Sequence, residues 1–344
     1  MNEFDEEEKE QKLEKAKLKI SEETYLLKYS SPKTLYGLTL QNHNNMRIGL
    51  TTLEVQGQQN EIQIVELIDE TLQLVSNEEI NYLPTKIMWN PHQENQSILS
   101  VSSDKIYLYK YNENDRKIEK TAILAKENEN KCCAPITSFD WNKVKNNILG
   151  TSSIDTTCRI WDINKNVTLN QLIAHDKEVY DISFSPKDEN IFITTGSDGS
   201  VRMFDLRDLE QSYIIYMTKD ESPLSRVYWN KVSSSWISVL GLESNLIYVV
   251  DYTQQEEIDM KPVMELNHHT NAVNAATWSP SNNYLCSVGD DKMCYIWEID
   301  NSMIAEMPVK QFRAENEINN VVWSENFDDW IAIASDKTLE LLKF

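Results

Sequence analysis

Three side chains in the last third of the chain are of the types that hydrolases use for nucleophilic catalysis. Ser287 offers a hydroxyl nucleophile, His269 a base and Asp291 a carboxylate that orients the base. Other catalytic motifs are absent from the sequence, which has no GxSxG, HExxH, GxGxxG or Walker loop. Because a triad is recognised by its geometry and its pocket, the elements that position these residues decide what they do.

Short strand-like runs, separated by clusters of Asn, Asp, Ser and Pro, make up the chain from about Thr24 onward. One type of strand recurs and ends in a large side chain followed by a turn. Its copies end at Leu40, Trp89, Trp141, Phe184, Trp229, Trp278 and Trp323, at spacings of 43 to 52 residues. A repeat of about 45 residues with several strands per unit is typical of a β-propeller. Seven copies predict an all-β fold with seven blades.

A second type of strand follows 19 or 20 residues after the aromatic residue in three of the repeats and ends in an aromatic–acidic pair. These pairs are Trp161-Asp162, Phe204-Asp205 and Trp297-Glu298. They resemble the Trp-Asp dipeptide of WD40-repeat proteins, and they lie in register with the repeat. The resemblance implies a seven-bladed WD40 β-propeller, which we expect to span residues 23–344.

The WD40 resemblance also implies a structural use for the triad-like residues. In such repeats a His before the first strand, a Ser or Thr in the second, an Asp in the next turn and a Trp in the third form one hydrogen-bonded network. The matching residues of the sixth repeat are His269, Ser287, Asp291 and Trp297. Two other repeats match in part, with His175, Thr194, Asp198 and Phe204 in one, and Cys132, Thr151, Asp155 and Trp161 in the other. We therefore favour a network that braces each blade, with no catalytic residue, over a hydrolase.

Closure of the ring is predicted from the two ends of the repeat array. The last repeat holds three strand-like runs, and Tyr25–Tyr29 precedes the first repeat without a blade of its own. An open ring would leave unpaired strand edges, which favour aggregation. We therefore expect Tyr25–Tyr29 to be the outer strand of the last blade, paired with Leu339–Lys343.

The segment 1–22 is predicted to be an acidic helical extension. Glu8 and Lys12 lie four residues apart, and Leu13, Ala16 and Ile20 share one helical face. Two interpretations stay open for this helix, a solvated and partly frayed segment or a docking helix for a partner.

The charge balance excludes several functions. With 33 basic and 55 acidic residues the net charge is −22, so the chain lacks the excess of Lys and Arg that binding to nucleic acid or anionic membranes requires. The same charge favours partners with basic segments. The 8 glycines in 344 residues leave little room for loops that bind phosphate groups.

Cysteine usage and the absence of targeting signals indicate an intracellular protein. The number of cysteines, five, is odd, and no two of them form a CxxC motif. Both facts argue against a disulfide framework and against a zinc site. The acidic start does not fit a signal peptide, and no apolar run approaches the ~18 residues of a membrane span. We expect no metal and no cofactor, and a location in the cytoplasm and nucleus.

A short motif at the end of one repeat suggests a contact with a partner. Phe204, Asp205 and Arg207 match, with Phe in place of Trp, the WDxR motif of WD40 receptors for cullin-based ubiquitin ligases. In those receptors the Arg contacts the adaptor protein. The alternative is an ordinary solvated arginine at the end of a strand.

The middle of the chain resembles one WD40 family in particular. The segments that carry this likeness are Thr137–Asn142, Gly150–Cys158, Gln171–Ile182, Gly199–Arg207 and, near the end, Glu317–Val321. The family includes the plant Transparent Testa Glabra protein and its animal counterpart, a DDB1- and cullin-4-associated factor. The resemblance implies a scaffold that bridges protein kinases to substrates or holds MYB and basic helix–loop–helix transcription factors together.

Three hypotheses about function follow. The first is a non-enzymatic WD40 adaptor that assembles kinase–substrate or transcription-regulator complexes. The second, from Arg207, is a substrate receptor of a cullin-based ubiquitin ligase. The third, from the acidic extension, is a structural subunit of a large assembly.

Overall fold

Seven antiparallel sheets of four strands each are present in the computed structural model, which describes residues 25–41, 46–54, 59–124, 134–233, 235–253, 264–299 and 307–343. Neighbouring sheets contact each other through their first strands, and the first sheet contacts the last in the same way. The sheets therefore close into a ring, which confirms the predicted seven-bladed all-β propeller. The helix predicted for 1–22 lies outside the described residues.

Each blade begins with an inner strand beside the central channel and ends with an outer strand on the side wall. The chain enters the ring with β1 (Tyr25–Ser30). Blade one is β2 (Leu35–Leu40), β3 (Arg47–Thr52), β4 (Asn60–Ile68) and β5 (Thr71–Ile80). Blade two is β6 (Lys86–Trp89), a short 3-10 helix (Gln93–Asn95), β7 (Ile98–Ser102), β8 (Ile106–Asn112) and β9 (Lys117–Leu124). Blade three is β10 (Ile136–Trp141), β11 (Ile148–Ser153), β12 (Thr157–Asp162) and β13 (Val167–Ile173).

The remaining blades follow the same order. Blade four is β14 (Val179–Phe184), β15 (Ile191–Gly196), β16 (Ser200–Asp205) and β17 (Asp208–Met217). Blade five is β18 (Leu224–Trp229), β19 (Trp236–Gly241), β20 (Ile247–Asp251) and β21 (Met264–Leu266). Blade six is β22 (Val273–Trp278), β23 (Tyr284–Gly289), β24 (Met293–Glu298) and β25 (Lys310–Arg313). Blade seven is β26 (Ile318–Trp323), β27 (Trp330–Ser335), β28 (Thr338–Lys343) and β1.

The ring closes through β1, as the sequence predicted. This strand pairs antiparallel with β28, with Tyr25 opposite Lys343 and Ser30 opposite Thr338. The order in the sheet is β1-β28-β27-β26, so the N-terminal strand is the outer strand of the last blade.

The apolar core lies between the blades. Seven buried clusters are present in the described residues, and each joins two neighbouring blades. The repeated residues at the ends of the inner strands are all buried: Leu40, Trp89, Trp141, Phe184, Trp229, Trp278 and Trp323. Full burial of a large apolar side chain stabilises a fold by about 1.5–3 kcal/mol, which explains why the repeat keeps a large residue at this position.

Antiparallel strand order gives the propeller two different faces. The turns between second and third strands, such as Asp290–Lys292, lie on one face, which we call the upper face. The turns between third and fourth strands, such as Leu206–Arg207, lie on the opposite, lower face. The central channel runs between the two faces.

Candidate functional site: buried networks, exposed surfaces and the central channel

The triad-like residues of blade six form one continuous chain of hydrogen bonds. Trp297 Nε1 lies 2.9 Å from Ser287 Oγ, and Ser287 Oγ lies 2.8 Å from His269 Nε2. His269 Nδ1 lies 2.9 Å from a carboxylate oxygen of Asp291. Donors and acceptors match when the imidazole is neutral with its proton on Nδ1: the indole donates to Ser287, Ser287 donates to His269, and His269 donates to Asp291.

Burial makes this set unsuitable for catalysis. Ser287 and Trp297 are fully buried, and His269 is almost fully buried. The cavity of the central channel is lined by neither Ser287 nor His269. Burial lowers the pKa of His269 although Asp291 acts in the opposite direction, so the imidazole is held neutral. The hydroxyl that would attack a substrate is already committed to two partners within the blade.

The network of blade four has the same contacts around its histidine as that of blade six, but no indole joins it. His175 Nδ1 lies 2.9 Å from Asp198, and His175 Nε2 lies 2.7 Å from Thr194 Oγ1. Ser200 Oγ donates to Asp198 over 2.8 Å. Burial acts to raise the pKa of Asp198, but the hydrogen bonds from His175 and Ser200 hold it well below its usual range.

The network of blade three is described only in part. Trp161 Nε1 donates to Thr151 Oγ1 over 3.1 Å, as expected. Asp155 does not reach this pair and instead accepts hydrogen bonds from Thr157 (2.6 Å) and Arg159 (2.7 Å) in its own turn and the following strand. In blade six the corresponding carboxylate contacts the His, so the predicted part of Asp155 in the network stays a prediction. Cys132, which stands in the place of the His, lies outside the described residues.

The WDxR-like turn of blade four has one exposed, one half-buried and one buried member, which are Arg207, Asp205 and Phe204. Arg207 Nε lies 2.9 and 3.0 Å from the two carboxylate oxygens of Asp205, and the Arg207 side chain is 65% exposed on the lower face. Phe204 is buried and stacks on Phe192 with ring centroids 5.1 Å apart. The prediction that Phe204 contacts a partner was therefore wrong, because its ring fills the core under the turn.

An apolar stripe on the side wall of blade three was not singled out from the sequence. Val167, Leu169 and Ile173 alternate along the outer strand β13 and are all exposed, Ile173 to 76%. This strand carries no charge, although charged side chains normally protect exposed edges. The other outer strands each carry at least one: Lys28, Glu78, Lys117, Asp208, Glu265 and Lys310. Such patches are typical of surfaces that contact proteins.

The central channel contains a cavity of about 370 Å³, lined mainly by the inner strands. Near its upper end lie Lys86 of blade two, Asp181 of blade four and Arg226 of blade five. Sequence reasoning also missed these residues. They share one register position, three residues before the aromatic end of the inner strand, and the repeat alignment already contained that signal.

Three stretches of the chain match a known family of repeats. The family described as WD domain, G-beta repeat (WD40) matches residues 128–162, 166–205 and 260–298. Each match ends at the aromatic–acidic pair that closes the third strand of blade three, four or six. These are the three blades that carry the partial or complete networks.

Relatives that align over most of the chain show which WD40 family it belongs to. A DDB1- and CUL4-associated factor 7 homolog from Dictyostelium discoideum is 37% identical over 323 residues, covering 92% of this chain and 97% of that protein. The chain belongs to this family of WD40-repeat proteins. A WD repeat-containing protein of Saccharomyces cerevisiae is 30% identical over 80% of the chain and 58% of its own length. An uncharacterized WD repeat-containing protein of Schizosaccharomyces pombe is 29% identical over 77% and 75%.

Membership of the DDB1- and CUL4-associated factor 7 family makes the chain a WD40 scaffold, as the repeats predicted. Within the described ranges, no helix is both long and apolar enough to cross a membrane. In those same ranges, no group of three or more His, Cys, Asp or Glu side chains is placed to hold a metal ion.

Proposed function

We propose that this scaffold is an adaptor without catalytic activity of its own, which joins protein partners on the outer surface of a rigid propeller. The observation that carries the proposal is the full-length likeness to the Dictyostelium protein, a DDB1- and CUL4-associated factor 7 homolog by name. The geometry supports it, because the blades are fixed by their buried networks while the turns and the side wall stay accessible.

The partners in this proposal are those implied by the resemblance to the plant Transparent Testa Glabra protein. They are protein kinases with their substrates, or transcription factors, bound through basic segments and met in the cytoplasm and nucleus. The net charge of −22 supports basic segments, since a surface of one sign attracts the other.

Affinity purification of the tagged full-length chain followed by mass spectrometry tests the adaptor proposal. We expect several partners, including kinases or transcription factors, whose amounts change with growth conditions. One constant complex of fixed stoichiometry would instead identify a structural subunit of a large assembly. Recovery of no protein partner would contradict the adaptor.

A second candidate function is substrate receptor of a cullin-based ubiquitin ligase. The exposed Arg207 supports it, since its two-pronged contact with the half-buried Asp205 carboxylate holds the guanidinium on the lower face before any partner binds. The name of the Dictyostelium relative also points to DDB1 and CUL4.

The matched variants Arg207→Ala and Arg116→Ala separate this candidate from a general charge effect. Arg116 is an exposed arginine in the corresponding turn of blade two. We expect Arg207→Ala to weaken co-purification of a DDB1-type adaptor about tenfold or more, as for loss of a charged hydrogen-bonding group, while Arg116→Ala leaves it unchanged. Equal recovery with both variants would exclude the receptor interpretation.

A further inference from the structure

The upper part of the central channel holds a carboxylate that is already fully engaged. Asp181 accepts hydrogen bonds from Ser138 Oγ (2.5 Å), from its neighbour Ile182 N (3.0 Å) and from Val227 N (3.1 Å). Lys86 Nζ lies 3.4 Å from the same carboxylate and 3.0 Å from Ser138 Oγ. These contacts tie the inner strands of blades two to five together.

Arg226 lies in the same cavity without a carboxylate partner. The Asp181 carboxylate and the Tyr36 hydroxyl both lie near enough to its guanidinium to raise its pKa. Among the ion pairs of the described residues, none includes Arg226. Burial acts to lower the pKa of Arg226, but the surrounding groups raise it, so the side chain is charged.

The lower part of the channel is electrically balanced. Lys143 pairs with Asp140 over 2.8 Å, and Lys231 pairs with Glu325 over 2.8 Å. The lining of the cavity therefore holds four cations, Lys86, Lys143, Arg226 and Lys231, against three carboxylates, Asp140, Asp181 and Glu325. The excess positive charge lies at Arg226.

Arg226 is half-buried and in no close ion pair among the described residues, and proteins normally pair a charge that is shielded from water. Next to Arg226 lies Tyr228, which also lines the cavity and whose pKa is raised to about 12 by burial. Its phenol lies close to Arg226 and to the backbone of Ala276. A guanidinium, an ammonium and a neutral hydroxyl around one cavity form a set of donors that suits an anion.

We propose that the central channel binds a small oxyanion, the carboxylate or phosphate group of a ligand, with Arg226 as its principal contact. Lys86 and the Tyr228 hydroxyl are the supporting donors. The oxyanion arrives either as a free anion or as a side chain of a peptide that enters the channel. The site does not depend on the adaptor function proposed above, since neither Arg207 nor the side wall takes part.

The overall charge of −22 does not prevent such binding. At physiological ionic strength the Debye length is about 8 Å, so most surface carboxylates are screened from an anion inside the channel. Arg226, in contrast, acts at short range in surroundings of low dielectric constant, where a charge interaction is several times stronger than in water.

Calorimetry and thermal melting of the full-length chain at constant ionic strength test the proposal. The probes are inorganic phosphate and a short, end-blocked peptide with a single glutamate, with its glutamine counterpart as reference. We expect phosphate to raise the melting temperature of the wild type with increasing concentration. In Arg226→Gln the affinity is expected to fall about tenfold or more, as for loss of a charged hydrogen-bonding group.

Arg313→Gln is the matched control, because Arg313 is exposed on the outer strand β25 and far from the channel. This variant is expected to bind phosphate like the wild type. If Arg226→Gln fails to fold, the phosphate affinity of Lys86→Gln tests the site instead. We expect Lys86→Gln to lose less affinity than Arg226→Gln. Binding of the glutamate peptide identifies a peptide side chain as the source, and binding of phosphate alone identifies a free anion. The proposal is overturned if neither probe binds the wild type, or if both channel variants bind like it.

Discussion

Single residues decide whether blade six carries a catalytic triad or a structural brace. Ser287 is fully buried and connects the indole of Trp297 to the imidazole of His269. A buried polar network stabilises a fold only when every member is satisfied, so removing the central hydroxyl strands both neighbours.

Ser287→Ala is therefore expected to lower the free energy of unfolding by about 1–3 kcal/mol, measured by chemical denaturation. Ser212 lies exposed on the outer strand β17, and Ser212→Ala is the control with an expected effect within about 0.5 kcal/mol. Unchanged stability of Ser287→Ala together with loss of a hydrolytic activity would restore the triad interpretation.

The same network makes stability depend on pH. Burial lowers the pKa of His269 below its usual value of 6.5, so the folded protein binds this proton less readily than the unfolded chain does. The stabilisation is fully present above pH 6.5 and is lost as the pH falls through the lower pKa of the folded state. We expect the melting temperature of the wild type to fall more steeply between about pH 7 and pH 5 than that of His269→Gln, which cannot take up the proton. Parallel pH profiles of the two proteins would contradict this assignment.

At this scale the sequence predicted positions better than contacts. His269, Ser287 and Trp297 lie on elements of regular geometry, so the register of the repeat places them correctly. Asp155 lies in a turn, where Thr157 and Arg159 donate to its carboxylate, and no periodicity in the sequence reports those contacts. Arg226 and Asp181 come from different blades and line one cavity only once the ring has closed, so no local pattern shows their relation.

At the scale of elements, β1 is the strand on which ring closure depends. It pairs with β28 along its whole length and covers the outer edge of blade seven. Deletion of residues 21–30 removes this pairing and is expected to lower the melting temperature sharply and to promote aggregation through the exposed edge. Deletion of residues 1–18 leaves all four strands of the blade in place, and we expect only a small change. Scanning calorimetry and light scattering compare the two truncations, and equal small effects would argue against closure by β1.

Inner and third strands were predictable because they carry a repeated signal. The inner strands end in a large buried side chain, and three of the third strands end in an aromatic–acidic pair. The outer strands have no such constraint, since one of their edges faces solvent. Their lengths accordingly range from the four residues of β25 to the ten of β5. The exposed stripe of β13 lies on this least constrained element, which explains why the repeat pattern did not indicate it.

At the scale of the whole molecule, charge is unevenly distributed. The chain carries −22 overall, while the charged side chains that line the central cavity include four cations and three carboxylates. A closed ring separates its outer surface from its central channel. The surface is in contact with solvent and salt, while the channel is partly shielded from both. Outer surface and channel are therefore suited to ligands of opposite charge.

The acidic surface predicts a salt-dependent encounter with basic partners. We expect a labelled Lys- and Arg-rich peptide of about ten residues to associate with the full-length chain faster at low salt, with a rate constant that falls by about tenfold or more as salt rises from about 0.05 to 0.5 M. Stopped-flow fluorescence measures this rate, and an uncharged peptide of the same length serves as control. Arg226→Gln should leave it unchanged, because the channel takes no part in this encounter. A rate constant that is independent of salt would mean that the acidic surface does not guide partners to the propeller. The proposal that the partners bind through basic segments would then have no electrostatic basis.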